Sequence, residues 1–162
     1  MGKVNVIYGS TTGTTEAAAQ KIAAGFGVEA KNVATATAAD FADADLLILG
    51  TSTWGAGDLQ DDWADKLSLL EGADLAGKKV AVFGFGDQDG FTDTFCDGMG
   101  ILAKTAAGRG AEIIGKTSTD GYSVESSVSV EGGQFWGLAL DDNNQSDKTD
   151  ARIDAWIELL KK

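Results

Sequence analysis

The chain reads as an α/β protein built on a parallel sheet with helices on both faces. Three observations predict this. Segments of strand character alternate with segments of helical period along the whole length, with no linker or repeat. The run Leu46-Leu47-Ile48-Leu49 has no polar face, as a strand covered on both sides requires. The apolar segment Val4–Tyr8 ends abruptly in a loop of glycines and hydroxyl residues, from which a helical pattern starts.

The elements follow in order. Val4–Tyr8 is the first buried strand. Thr15–Phe26 is a helix with Ala18, Ile22 and Phe26 on one face, ended by Gly25 and Gly27. Val28–Val33 is a second, weakly patterned strand, and Leu46–Leu49 a central one. Trp63, Leu67 and Leu70 define the next helix face, closed by Gly72. Lys79–Phe85 is the fourth strand. Phe95, Met99, Leu102 and Ala106 mark a helix that stops at Gly108-Arg109-Gly110, and Glu112–Gly115 is the fifth strand. Between Thr117 and Leu138 the helical period vanishes. Val124, Val128 and Val130 sit at even spacing and Glu131-Gly132-Gly133-Gln134 reads as a turn, so a two-stranded excursion is expected inside the fifth strand, resumed at Leu138-Ala139-Leu140. Ile153, Trp156, Ile157 and Leu160 line one side of the last helix.

Composition narrows the function. The 162 residues are expected to form one domain, 1–162, with 43% hydrophobic residues for its core. A net charge of −12 points away from nucleic acid and anionic lipid and towards basic partners. There is no histidine and one cysteine, Cys96, which excludes histidine acid–base catalysis, zinc clusters and Cys-His chemistry. No segment approaches the length of a membrane span. The lone cysteine, with a strand at the very start where a secretory leader would stand, leads us to expect a cytoplasmic location. Proline is absent too, so no prolyl isomerisation can slow folding.

In an open parallel sheet, ligands bind beyond the carboxyl ends of the strands, where the strand order reverses. Three loops qualify. The first is Gly9-Ser10-Thr11-Thr12-Gly13-Thr14-Thr15, whose four threonines and one serine add hydroxyls to the amides and dipole of a helix N-terminus. Such loops either cradle a phosphate or merely cap a helix. This one lacks the Gly-Lys-Ser/Thr ending of a nucleoside-triphosphate loop and the G-x-G-x-x-G dinucleotide fingerprint. The second loop runs from Gly50 to Asp58 and the third from Gly84 to Asp93; each sets an aromatic, Trp54 or Phe91, among glycines and polar residues. These rings either plug the top of the sheet or sandwich a flat heterocycle, each stacked ring contributing roughly 0.5–1.5 kcal/mol beyond its buried area. One phosphate and one stacked ring fit a mononucleotide.

Taken together, the three loops resemble those of the flavodoxins, and the resemblance covers the whole chain in order. Gly9-Ser10-Thr11-Thr12-Gly13-Thr14-Thr15-Glu16 matches the family's FMN-phosphate loop, Thr51-Ser52-Thr53-Trp54-Gly55 one flavin-facing loop, and Gly86-Asp87-Gln88-Asp89-Gly90-Phe91 the other. Ser118–Tyr122 and Gly137–Asp141 look like the insertion of long-chain flavodoxins. The resemblance implies a flavodoxin-like doubly wound five-stranded sheet of order 2-1-3-4-5, with the insertion in the fifth strand. It implies non-covalent FMN held by Ser10, Thr11, Thr12, Gly13, Thr14 and Thr15 at the phosphate. Thr51, Ser52, Thr53, Trp54, Gly55, Ala56 and Gly57 would line one side of the ring. Gly86, Asp87 and Phe91 would line the other, and backbone groups at Phe85, Gly86 and Asp87, with Thr94 and Cys96, would meet the pyrimidine edge. The implied function is low-potential, one-electron shuttling between redox proteins, by a carrier that is not an enzyme. Its partners would be a basic flavodoxin/ferredoxin reductase and a low-potential acceptor such as nitrogenase, and the carrier is expected to be a monomer. Phe91 stands where most relatives have tyrosine, Ser52 where proline is common, and Thr14 where some have lysine.

Two features bear on the potentials. Gly55 makes unusual backbone angles cheap, so a flip of the Gly55–Ala56 peptide on reduction is expected. Asp58, Asp61, Asp62, Asp65, Asp87, Asp89, Asp93 and Asp97 crowd the flavin loops. A carboxylate about 10 Å away opposes an added negative charge by ~0.4 kcal/mol in a water-like dielectric. Six of them lower a one-electron potential by roughly 100 mV. The competing function on this fold is an FMN quinone reductase or nitroreductase, which the missing histidine and nicotinamide fingerprint disfavour. A phosphoacceptor receiver domain would need paired acids after the first strand, where this chain has Gly9 and Ser10.

Overall fold

The computed structural model describes residues 3–9, 14–54, 58–59, 61–85, 97–118, 130–131 and 134–161. Strands β1 (Val4–Tyr8), β2 (Ala30–Asn32), β3 (Leu46–Trp54) and β5 (Lys79–Phe85) run parallel in the order β2-β1-β3-β5. The far edge is one strand in two pieces, β6 (Glu112–Ile114) and β10 (Leu138–Leu140), both parallel to β5. Counting the pieces as one strand and setting aside the short β4 (Asp58–Leu59) gives the predicted order 2-1-3-4-5.

Successive side chains of a strand point to opposite faces, so an apolar run serves two cores at once. Ile7, Leu47, Leu49, Val80 and Val82 face helices α2 (Ala38–Ala42), α3 (Asp61–Glu71) and α4 (Asp97–Gly108), where Phe41, Trp63, Leu70, Met99 and Leu102 are fully buried. Val6, Tyr8, Leu46, Ile48, Ala81 and Phe83 face α1 (Thr14–Gly25) and α5 (Asp142–Leu160), against Ala19, Ile22, Ile153 and Trp156. The predicted face of α1 is the buried one, and Phe26 packs beside it.

Helices α1 and α4 stop in the same way. Gly27 (φ 71°) and Gly110 (φ 96°) take the left-handed conformation that glycine adopts without a Cβ penalty. The next amides, of Val28 and Ala111, turn back to the carbonyls of Ala23 and Ala106, while Gly27 and Gly110 donate to Ala24 and Ala107. This is the Schellman arrangement.

The structure departs from the sequence reading in four places. The second strand is shorter than Val28–Val33, because Val33 is drawn into a 3₁₀ turn (Val33–Thr35) whose Ala34 amide donates to the Asn32 side chain at 2.9 Å. Helix α2 was not foreseen: five residues show no helical period. Its signal is local, the Thr37 amide donating to Asp40 three residues on at 2.8 Å. Burial alone would raise the Asp40 carboxyl, but hydrogen bonds from Thr37 and Lys31 outweigh it and hold it below its usual value. The supposed second loop begins as strand, since β3 continues through Trp54 and folds back antiparallel on β4, pairing Thr53 with Leu59 and Trp54 with Asp58. Finally, the described residues of the insertion form a three-stranded antiparallel sheet, β7 (Thr117–Ser118), β9 (Gln134–Phe135) and β8 (Val130–Glu131), where a two-stranded excursion was expected. The Glu131–Gln134 pairing is the expected hairpin, but β9 also pairs with the strand that leaves the sheet.

Gly137 returns the chain from that small sheet to β5. A Cβ there would lie 1.9 Å from the Val82 carbonyl oxygen, so only glycine fits the contact. Ile114 stands opposite Ala81 and Leu138 opposite Phe83. A single position, facing Val82, therefore separates the two halves of the edge strand.

Candidate functional site

The chain leaves β1 outward to β2 and then crosses back to β3, so the strand order reverses between β1 and β3. Their carboxyl ends open the crevice in which doubly wound folds bind ligands. Gly9, first residue beyond β1, donates its amide to the Gly50 carbonyl at 3.0 Å. The buried Trp63 indole donates to the same carbonyl at 2.6 Å. One oxygen of β3 therefore fixes both the start of the first loop and the first turns of α3. Gly50 is glycine for a packing reason: a Cβ would meet the Phe83 ring at 2.0 Å. Gly84 on β5 is similar, with Met99 Cβ and the Thr51 carbonyl oxygen at 2.9 and 3.1 Å from a built Cβ.

Helix α1 starts at Thr14, directly after the first loop, and the amides of a helix's first turn have no acceptor within the helix. Thr15 in that turn is 1% exposed and Thr51 at the end of β3 is fully buried, so hydroxyl side chains stand at both strand ends. The described residues of β1 and of the first turn of α1 include no cation; Lys3 precedes β1 at its opposite end. Dipole, amide and hydroxyl donors with no countercharge suit a phosphate group.

Of the predicted site residues, Thr14 and Thr15 lie in the first turn of α1. Thr51, Ser52, Thr53 and Trp54 lie on the last residues of β3, and Phe85, 7% exposed, ends β5. The register sets Thr51 opposite Gly84 and Ser52 opposite Phe85, so the second and third groups arise side by side. Ser10, Thr11, Thr12, Gly13, Gly55, Ala56, Gly57, Gly86, Asp87, Phe91, Thr94 and Cys96 lie outside the described residues, as does the Gly55–Ala56 peptide. Of the predicted acidic rim, Asp65 is exposed on α3, and Asp87, Asp89 and Asp93 lie outside the described residues. Among the described residues no group of three or more histidine, cysteine or acidic side chains could hold a metal, and no helix is long and apolar enough to cross a membrane.

Sequence reasoning missed Tyr8. It ends β1 beside the first loop, and its hydroxyl donates to Glu16 Oε2 at 2.7 Å. Burial first, then the hydrogen bond to Glu16 and that group's charge, push the phenol up to about 12, against an opposing hydrogen bond from Asn32. A tyrosine at a strand's last position, with an acid in the first turn of the next helix, was the available signal. Trp63 was read as packing; its bond to Gly50 adds a polar role. Trp136 is half-buried against the core, with Lys116 Nζ 4.6 Å from its ring centroid.

The fold is that of an open, doubly wound α/β protein with a helix N-terminus at the reversal of its strand order. The flavodoxin family model matches residues 6–156, and the chain belongs to the flavodoxin family, whose members are electron-transfer proteins rather than enzymes. It is 46% identical to a flavodoxin of Trichodesmium erythraeum over 99% of this chain and 97% of that one. With a Helicobacter pylori flavodoxin it shares 44% over 99% and 98%. A crystal structure of Fusobacterium nucleatum flavodoxin bound to flavin mononucleotide superposes with a TM-score of 0.94 at 34% identity, covering 99% of this chain and 98% of that one.

Proposed function

We propose that this flavodoxin carries single low-potential electrons between redox proteins on a non-covalently bound FMN. The reading is supported chiefly by the start of α1: its first turn follows β1 and the first loop at the reversal of strand order, with the buried Thr15 in it and no cation among the described residues of β1 and that turn. It is supported also by the flavin mononucleotide in the similar Fusobacterium protein. Ser10–Thr15 would hold the phosphate. Thr51–Gly57, with Trp54, would take one side of the ring and Gly86, Asp87 and Phe91 the other, with backbone groups at Phe85–Asp87 and with Thr94 and Cys96 at its pyrimidine edge. When bound, FMN supplies reversible one-electron chemistry. The chain's part is to bind and orient it, to shield it from water, and to surround it with negative charge.

The net charge of −12 opposes an added electron and so lowers the second potential. It also steers the carrier onto basic surfaces such as a reductase and a low-potential acceptor. Electron-transfer rates should fall steeply as salt rises; a flat salt profile would count against steering. The decisive experiment is an anaerobic redox titration of the purified protein, with two separate one-electron steps expected, the second at low potential. A single two-electron step, or bleaching by NAD(P)H with no reductase added, would replace this reading with that of an FMN quinone reductase or nitroreductase.

A further inference from the structure

We propose that Tyr8 is a positioning residue for the phosphate site: its phenol holds the Glu16 carboxylate off the N-terminus of its own helix, leaving the amides there to an incoming phosphate. The proposal rests on the reading that the loop after β1 holds the FMN phosphate. Glu16 is the third residue of α1. An acidic side chain at that position ordinarily folds back onto the backbone N–H at the helix entrance, where the dipole also favours it. In this protein its Oε2 accepts from the Tyr8 hydroxyl at 2.7 Å.

The phenol is well held for this task. Tyr8 is buried in the core between the sheet and helices α1 and α5, so the ring cannot follow a wandering carboxylate. A carboxylate released from it would sit within a helical turn of the phosphate, repel its charge and compete for the same amides.

The test titrates the apoprotein with FMN and with riboflavin, which has the same ring and no phosphate. The unmutated chain should bind FMN far more tightly than riboflavin. Tyr8→Phe should weaken FMN binding about tenfold and leave riboflavin unchanged. Glu16→Ala, which removes the competitor, should bind FMN at least as tightly as the unmutated chain. The double variant should recover what Tyr8→Phe loses. Full FMN affinity in Tyr8→Phe, a loss in Glu16→Ala, or no recovery in the double variant would overturn the proposal, the last by showing the phenol to be only a prop. No preference for FMN over riboflavin in the unmutated chain would overturn the phosphate reading itself. Because that result appears without any substitution, the two failures are distinguishable. Should Tyr8→Phe fold poorly, the Glu16→Ala arm alone decides.

Discussion

The Trp63 indole nitrogen donates to the carbonyl oxygen of Gly50 at 2.6 Å, in the buried interior beneath the crevice. Since the Gly9 amide shares that oxygen, the bond links α3 to the origin of the first loop through one atom of β3. Trp63→Phe keeps much of the ring's packing, including the edge contact with Phe41 at 6.0 Å, but removes the donor. We expect a loss of about 2 kcal/mol, measured by urea unfolding with an unchanged m-value. A variant as stable as the parent would show that the bond contributes nothing net.

Gly50 and Phe83 fill one space between them. A methyl group on Gly50 would stand 2.0 Å from the Phe83 ring, which is itself pinned edge-on by Trp156 at 6.0 Å. Gly50→Ala should therefore cost about 1–3 kcal/mol through overpacking. Pairing it with Phe83→Leu should return part of that loss, as a favourable coupling in a double-mutant cycle. Strictly additive effects would place the strain elsewhere.

How much of this was legible beforehand follows from the range of each signal. The apolar runs of β1, β3 and β5 and the face of α1 are dense local patterns, so these elements and the core came through, whereas the strand order came from the family resemblance. Gly27 and Gly110 announced their helix ends because left-handed backbone leaves a residue-type signature. Helix α2 was lost because one turn has no period. The extension of β3 through Trp54 was hidden by Gly50 and Ser52, small residues that read as loop; Gly50 is there because of Phe83, thirty-three positions on. Tyr8 looked apolar in a strand pattern, and its bond to Glu16 exists only once α1 lies against β1. The three candidate loops were singled out by their composition and order, which is family-like information rather than local physics.

The insertion is not a surface ornament, because it contributes to the main core. Phe135 on β9 is fully buried in the cluster that holds Val80, Val82 and Met99, with Val130 beside it. Phe135→Ala should cost about 3–5 kcal/mol. Its neighbour Gln134→Ala, on an exposed residue, should fall within about 0.5 kcal/mol of the parent. Equal, small effects at the two positions in chemical denaturation would mean that the insertion adds little to stability.

Alkaline pH should weaken the fold through Tyr8. Its phenol is pushed up to about 12 in the folded chain by burial and by Glu16, whereas an unfolded tyrosine titrates near 10. Between those values the unfolded chain has released a proton that the native one keeps, so raising pH favours unfolding. The contribution is fully present below about pH 10 and is lost as pH climbs through about 12, up to roughly 2–3 kcal/mol in all. Tyr8→Phe has no proton to lose there. Its stability should decline less steeply than the parent's between about pH 10 and 12, and the highest phenolate step in the ultraviolet titration should disappear. Parallel stability curves for the two proteins across that range would mean that Tyr8 titrates as an ordinary tyrosine.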